Sequence, residues 1–290
     1  MRRGVDGQGL RVRVLGGFGV WAGGRAVPAA AWRLRRAAGL VKLLALAPGH
    51  RLHRDQALEA LWPGADPAAA APRLHQALYV ARRALAHDPS RASGVHPAGY
   101  LPWEGDVLAL APAGQATVDL QQFEAAAARA RRAGDAATYR EALDRYGGEL
   151  LPDDRYADWA EARREAVRAL HLALLVELAA LLEAGGEAAP AAAALERIVA
   201  EDPAHEAAHV GLMRLRALAG DRRGALRQYD RLREALRREV DAEPAAASRQ
   251  LREDIRAGRF PAATTPDAPP APGRRRPWRP RSRGGIRRPT

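Results

Sequence analysis

The chain of 290 residues contains no cysteine. That excludes a disulfide scaffold, a thiolate metal site and a cysteine nucleophile, and it is compatible with a reducing cytoplasm, the expected location. No apolar run reaches the roughly 18 residues that a membrane span needs. The opening MRRGVDGQGLRVRV has no apolar core of a secretory signal, so no membrane partner is expected. The glycine cluster Gly16-Gly17-Phe18-Gly19 is not a dinucleotide fingerprint, because no helix follows it at the required spacing. No phosphate-loop motif follows residue 259, and no cofactor is expected.

What is abundant is arginine, alanine, glycine and proline, the composition of a GC-rich bacterial genome. Such a genome inflates arginine, so the position of charge says more than its total of +12. Residues 1–113 hold 15 Lys and Arg against 7 Asp and Glu, a balance of +8; residues 114–260 hold 23 against 26, or −3; residues 261–290 hold 8 against 1, or +7. A basic first third beside a slightly acidic middle is the asymmetry expected where one module meets nucleic acid and another meets protein.

Leu10, Val12 and Val14 alternate with Arg11 and Arg13, a period of two that predicts a half-buried strand. Extended pattern resumes at Phe18–Val20 and, after the turn Gly23-Gly24, at Arg25–Val27, giving a small antiparallel sheet. Helices follow over Trp32 to Ala47, with Leu34, Ala37, Val41 and Leu44 on one face, and over Arg54 to Trp62, burying Leu58, Leu61 and Trp62. Asp66-Pro67 then supplies an N-cap and a first helical position for a third helix, Ala68 to Ala86. Tyr100–Trp103 and Val107–Leu110 read as the strands of a hairpin around Glu104-Gly105-Asp106. Sheet, three helices and hairpin in that order make a winged helix-turn-helix.

The third helix is where recognition belongs. Leu74, Leu78, Ala81 and Leu85 form its apolar stripe, and Gln76, Tyr79, Val80 and Arg83 point away from it, flanked by Arg73, His75 and Arg82. Guanidinium and amide groups can make bidentate hydrogen bonds to base edges, so Gln76 and Arg83 are the expected base readers. Arg73, His75, Tyr79 and Arg82 are expected nearer phosphates or at the flank. Lys42, Arg51, His53 and Arg54, near the ends of the first two helices, are further phosphate candidates.

From Thr117 the pattern is helical. Gly134-Asp135, Gly186-Glu187 and Gly220-Asp221 interrupt it, the last two 34 residues apart. Ala191, Leu195 and Ile198 recur as Ala225, Tyr229 and Leu232, the small-then-large register of tetratricopeptide repeats. A long helix from Tyr156 to about Ala184, bearing Trp159, Val167, Leu170, Leu174, Leu178 and Leu181, packs the repeats together, with Asp153 or Asp154 capping its start. The expected fold is therefore mainly α, an N-terminal winged helix followed by an all-α tetratricopeptide-like domain. Expected domains are 9–112, 115–259 and a disordered basic Pro/Arg-rich tail over 260–290, which is too poor in aliphatic residues to build a core.

His205-Glu206-Ala207-Ala208-His209 matches H-E-x-x-H, which on a helix sets two imidazoles on one face with a glutamate as general base. It follows Asp202-Pro203, so its first histidine sits in the opening turn of a repeat helix, and no further histidine supplies a third ligand. Only Glu234 or Glu239 could. The expectation is repeat scaffold, with neither metal nor enzyme activity.

The two halves together resemble the antibiotic regulatory proteins of the AfsR/DnrI/RedD type (SARP), which join an OmpR-like winged helix to a bacterial transcriptional activation domain. The resemblance covers about residues 10 to 259. It rests on RVLGGFGV, HRDQALEALWPGADP and RLHQALYVARRAL in the first half, and in the second on VDLQQFEAAAARARRAGD, YGGELLPDDRYADWAEARREAVRAL, ALERIVAEDPAHEAAHVGLMRL and AGDRRGALRQYDRLREAL. It implies binding to promoter direct repeats, self-association, recruitment of RNA polymerase and activation of clustered genes, often for secondary metabolism. His75 and Ala77 resemble the wider group carrying the same activation domain as much as the antibiotic regulators. A protein-interaction scaffold whose winged helix is a docking module is the alternative, to be separated by whether DNA binding is sequence-selective.

Overall fold

The computed structural model describes residues 9–86, 97–111 and 115–260. The expected tail beyond Phe260 lies outside the described residues. The chain divides into two compact units, Met1–Gly211 and Leu212–Thr290.

The first unit opens with β1 (Leu10–Arg13), β2 (Gly19–Ala22) and β3 (Arg25–Ala26), the expected small sheet. Leu10 and Val12 are buried and Arg11 and Arg13 exposed, as the alternation requires. Helix α1 (Arg35–Leu46) starts three residues later than predicted, because Leu34 is still extended. It buries Ala37, Val41 and Leu44. A short strand β4 (Arg51–His53), which the sequence pattern does not announce, leads into α2 (Arg54–Leu61). The turn through Gly64, at φ 70°, then delivers the chain to α3 (Pro67–Leu85). Asp66 caps α3 by accepting from the Ala69 N–H at 3.3 Å, and Pro67 takes the first turn, where no N–H is needed.

The hairpin forms with shorter strands than predicted. Pro97–Tyr100 is a single 3-10 turn, β5 is Trp103–Glu104 and β6 is Val107–Ala109, joined by Gly105-Asp106. Gly105 sits at φ 59°, the left-handed value that primed hairpin turns need at their first central residue. Because β4 pairs with β6, the wing is a three-stranded sheet of order β4-β6-β5.

Two further differences tie the winged helix to the first helices of the C-terminal part. Residues 116–118 are not helical: β7 (Ala116–Val118) runs parallel to β1, with Leu10 opposite Ala116 and Val12 opposite Val118, completing a sheet of order β3-β2-β1-β7. Asp119, the first residue of α4 (Asp119–Ala133), then accepts from the N–H groups of Val14 (2.9 Å), Leu15 (3.0 Å) and Leu120 (2.9 Å). Gly16, just after β1, serves a backbone crossing. A Cβ on Gly16 would lie 2.1 Å from the Gly147 carbonyl oxygen, and the Gly16 N–H donates to the Glu149 carbonyl at 2.9 Å.

Helix α4 turns at Gly134 (φ 68°) into α5 (Ala136–Leu143), capped by Asp135 on the Thr138 N–H. The long α6 (Asp158–Ala184) begins two residues after Tyr156 and buries Val167, Leu174 and Leu178, while Trp159, Leu170 and Leu181 are only half-buried. Neither Asp153 nor Asp154 caps it. Both lie in a 3-10 turn, Pro152–Asp154, and Asp154 is bound instead to Lys42. Arg131 reaches Glu177 of α6 at 2.8 Å, and the Tyr139 hydroxyl donates to the same carboxylate at 2.7 Å. Helix α7 (Ala188–Glu201) packs on α6.

Helix α8 (Glu206–Leu218) contains the boundary between the units. Gly211 lies so close to α7 that a Cβ there would come within 2.7 Å of Leu195, the close helix approach a repeat demands. In the second unit α9 (Arg222–Val240) and α10 (Ala246–Arg256) enclose Met213, Ala225, Tyr229 and Ile255. The 34-residue register holds: Ala191, Leu195 and Ile198 are buried, and so are Ala225, Tyr229 and Leu232. The fold is thus the expected one, mainly helical behind a small N-terminal winged helix.

Candidate nucleic-acid interface

Helix α3 is amphipathic in the manner its sequence predicts. Leu74, Leu78, Ala81 and Leu85 are buried together with Ala70, Ala77 and Ala84, packed toward α1 and α2. Arg73, Gln76, Tyr79 and Arg83 face solvent, and Tyr79 is 61% exposed. The Arg83 guanidinium lies 5.9 Å from the Tyr79 ring centroid, so the two side chains form one cationic, aromatic ledge. Among the described residues, Arg73 and Gln76 make no hydrogen bond or ion pair.

Other expected contacts are committed to the fold. Lys42 is 8% exposed: its ammonium is paired with Asp154 and lies 4.7 Å from the Phe18 ring centroid. It is a corrected assignment, since a buried, paired ammonium is not available to a phosphate. Arg82 donates from Nε (3.1 Å) and Nη2 (2.7 Å) to the Leu101 carbonyl, bracing α3 against the chain entering the wing. Partial burial lowers its pKa, and we correct its role from phosphate contact to brace. His75 is exposed at its edge, but its ring stacks on Trp103 of β5 at 4.7 Å, so it orients the wing relative to α3. The Trp103 indole N–H in turn donates to the Gly105 carbonyl at 2.7 Å.

Arg51, His53 and Arg54 are exposed where β4 meets α2. His53 is the cap of α2: its Nδ1 accepts from the Asp55 N–H (3.3 Å), and the Gln56 side chain accepts from the His53 N–H (3.0 Å). Arg54 lies 3.3 Å from both Asp55 and Asp106. The wing tip therefore carries carboxylates, Glu104 and Asp106, and the cationic face belongs to α3. Sequence reasoning missed Arg33, which lines a groove of about 290 Å³ beside α3 with Pro28, Ala30, Tyr79 and Arg83. It lies just before α1, and nothing local marks it.

The H-E-x-x-H stretch has both imidazoles occupied. His205 Nδ1 accepts from the Ala208 N–H at 3.2 Å, and His209, 1% exposed, meets the Pro203 carbonyl through Nε2 at 3.0 Å. Among the described residues, no group of three or more His, Asp or Glu could hold a metal ion. Nor is any helix among them long and apolar enough to cross a membrane.

Residues 118–256 match the family described as "Bacterial transcriptional activator domain". A winged helix before that domain is the architecture of a SARP-type transcription regulator. No curated protein matches the chain. Among solved structures it is similar to EmbR of Mycobacterium tuberculosis, in a structure titled as a complex with a low-affinity phosphopeptide. The TM-score is 0.69 at 23% sequence identity, over 86% of this chain and 65% of the EmbR chain. That likeness is one of fold, and this chain spans about two-thirds of the EmbR chain's length.

Proposed function

We propose that the protein is a sequence-specific DNA-binding transcriptional activator, with residues 9–112 as the DNA-binding part and 115–259 as the activator. In this reading α3 enters the major groove of promoter direct repeats, two copies assemble on DNA, and the helical domain recruits RNA polymerase. Gln76 and Arg83 read base edges, with Arg73, Tyr79 and Arg51 nearer phosphates. The regulated genes form one pathway cluster, for secondary metabolism or a similar purpose.

The observation that carries the reading is the free face of α3. Arg73, Gln76, Tyr79 and Arg83 are solvent-exposed at helical spacing on the third helix of a winged helix, while Arg82 of the same helix is held by the Leu101 carbonyl and His75 stacks on Trp103. The test is DNase footprinting across neighbouring promoters, then titration of the protected duplex against competitor DNA at several salt concentrations. Binding that tightens as salt falls and still prefers the protected sequence supports the reading. Binding that tracks salt alone, with no preference, overturns it in favour of a scaffold.

A further inference from the structure

The charge of the helical part is not evenly spread. Residues 115–211 hold 10 Arg against 18 Asp and Glu, a balance of −8, whereas residues 212–260 hold 13 against 8, or +5. The change of sign falls at the boundary between the two compact units. Within the basic unit six of the 13 arginines are ion-paired: Arg233 with Asp230, Arg237 with Glu243, Arg238 with Glu239, Arg252 and Arg256 with Glu253, and Arg259 with Asp254. Arg222, Arg223, Arg227 and Arg231 are different. All four are exposed on α9, and none has a carboxylate or other partner among the described residues.

Their placement has a cost that the fold does not explain. Arg223, Arg227 and Arg231 recur every four residues, a single stripe about 12 Å long. Arg222 and Arg223 occupy the first turn of α9, the positive end of the helix macrodipole, where cations are disfavoured. Asp221 caps that end through the Gly224 N–H at 2.8 Å and makes no ion pair with either arginine.

We infer that this stripe is a second nucleic-acid contact, which holds duplex DNA by its phosphates without reading sequence. The inference rests on the DNA-binding function proposed for α3. A polyanion relieves the stripe's self-repulsion and benefits from the helix N-terminus at once. An acidic protein surface fits less well. Protein interfaces are centred on desolvated apolar or aromatic anchors, and the exposed large apolar residue of α9 is Val240, at the opposite end of the helix.

The experiment uses the full-length protein and the footprinted duplex, titrated between about 50 and 200 mM salt. Each phosphate contact contributes about 0.9 to the slope of log K against log salt. The R222A/R223A/R227A/R231A variant is expected to lose about 3.6 units of slope. The fourfold rise in salt then costs it about 150-fold less affinity than it costs the wild type, with sequence preference unchanged. The corresponding four-lysine variant should retain the wild-type slope, and R233A/R237A/R238A, which removes neutralised arginines, should not alter it. A folded four-alanine variant with the wild-type slope overturns the inference and leaves the function standing. The same slope with lost activation in a reconstituted transcription assay overturns it in favour of an acidic protein partner. Wild-type protein that binds no duplex removes the functional reading itself.

Discussion

Lys42 offers the sharpest separation between a structural and a DNA-binding role. Its side chain is 10% exposed and that of its partner Asp154 is 28% exposed. Removing one member of a fully buried pair costs about 3–5 kcal/mol, because an uncompensated charge remains. The two sides of this pair are not equivalent. In Asp154→Asn the more buried ammonium is stranded against Phe18, whereas in Lys42→Met the surviving carboxylate can draw on water. We expect about 2–3 kcal/mol for Asp154→Asn and about 1–2 kcal/mol for Lys42→Met, discounted from the fully buried case for Asp154's partial exposure. At about 2–4 °C per kcal/mol for a unit of this size, Asp154→Asn should melt about 4–12 °C early. The assay pairs thermal unfolding with DNA binding over a salt series. The pair predicts a lower melting temperature at unchanged salt slope for both variants. If Lys42→Met melted normally and lost about one phosphate's worth of slope, the buried-pair reasoning would be refuted and Lys42 would be a DNA contact after all.

On α3, Gln76→Ala and Arg83→Ala should each cost about 1–3 kcal/mol of binding to the protected sequence and less to scrambled DNA. Equal loss on both, by competition titration, would demote either residue to a phosphate contact. Asp119→Ala leaves the Val14 and Leu15 N–H groups without their acceptor and should cost about 2–4 kcal/mol in denaturant unfolding. A fragment ending at residue 112 lacks β7 and Asp119 together and should give no cooperative melt, whereas one ending at residue 211 should. Burial, and secondly the bond to Glu177, push the Tyr139 phenol up to about 12. The folded state therefore keeps a proton that the unfolded state releases near pH 10, and stability is full below that pH and lost as pH rises from about 10 toward 12. Tyr139→Phe should remove that part of the alkaline loss in a pH series of melts.

Helix α3 was legible almost to the residue because its signals are local. Asp66 and Pro67 mark its start, and Leu74, Leu78, Ala81 and Leu85 mark its buried face within a few turns. The repeat register was legible for the same reason, since Ala191 and Ala225 announce the same close approach. The two missed strands are three residues each, too short to show a period, and they are strands only because β1 and β6 lie beside them. The misplaced side chains share one physical origin. Lys42 reads as a cation on a helix near DNA until Asp154, 112 residues on, comes to meet it. Arg82 reads as a phosphate ligand until the Leu101 carbonyl occupies it, and His75, expected at a phosphate or at the flank, stays exposed while its ring stacks on Trp103. Charge in a sequence is countable; whether it is already neutralised depends on partners that only the fold supplies.

Partners supplied by the fold also decide how the winged helix and the activator domain are joined. The family match begins at Val118, but Val118 is the last residue of the strand that pairs with β1, and the next residue clamps the end of β1 through two backbone N–H groups. Leu15 bridges to Leu150, the Leu151 N–H donates to the Val14 carbonyl at 2.9 Å, and His50 Nε2 lies 2.9 Å from the Gln121 side-chain oxygen. With Lys42–Asp154 added, the bonds run from α4 and the segment before α6 to the first sheet, to α1 and to the turn that precedes β4. A flexible tether would leave such backbone groups to water. Here they are satisfied across the family boundary, and α3 and the first activator helices belong to one compact unit. An event that displaced α4 or the 147–154 segment would have to break bonds that also hold the sheet and α1 on which α3 rests. The physical boundary of the unit that holds α3 therefore lies well inside the activator domain, beyond α6, and not at the residue where the family match begins.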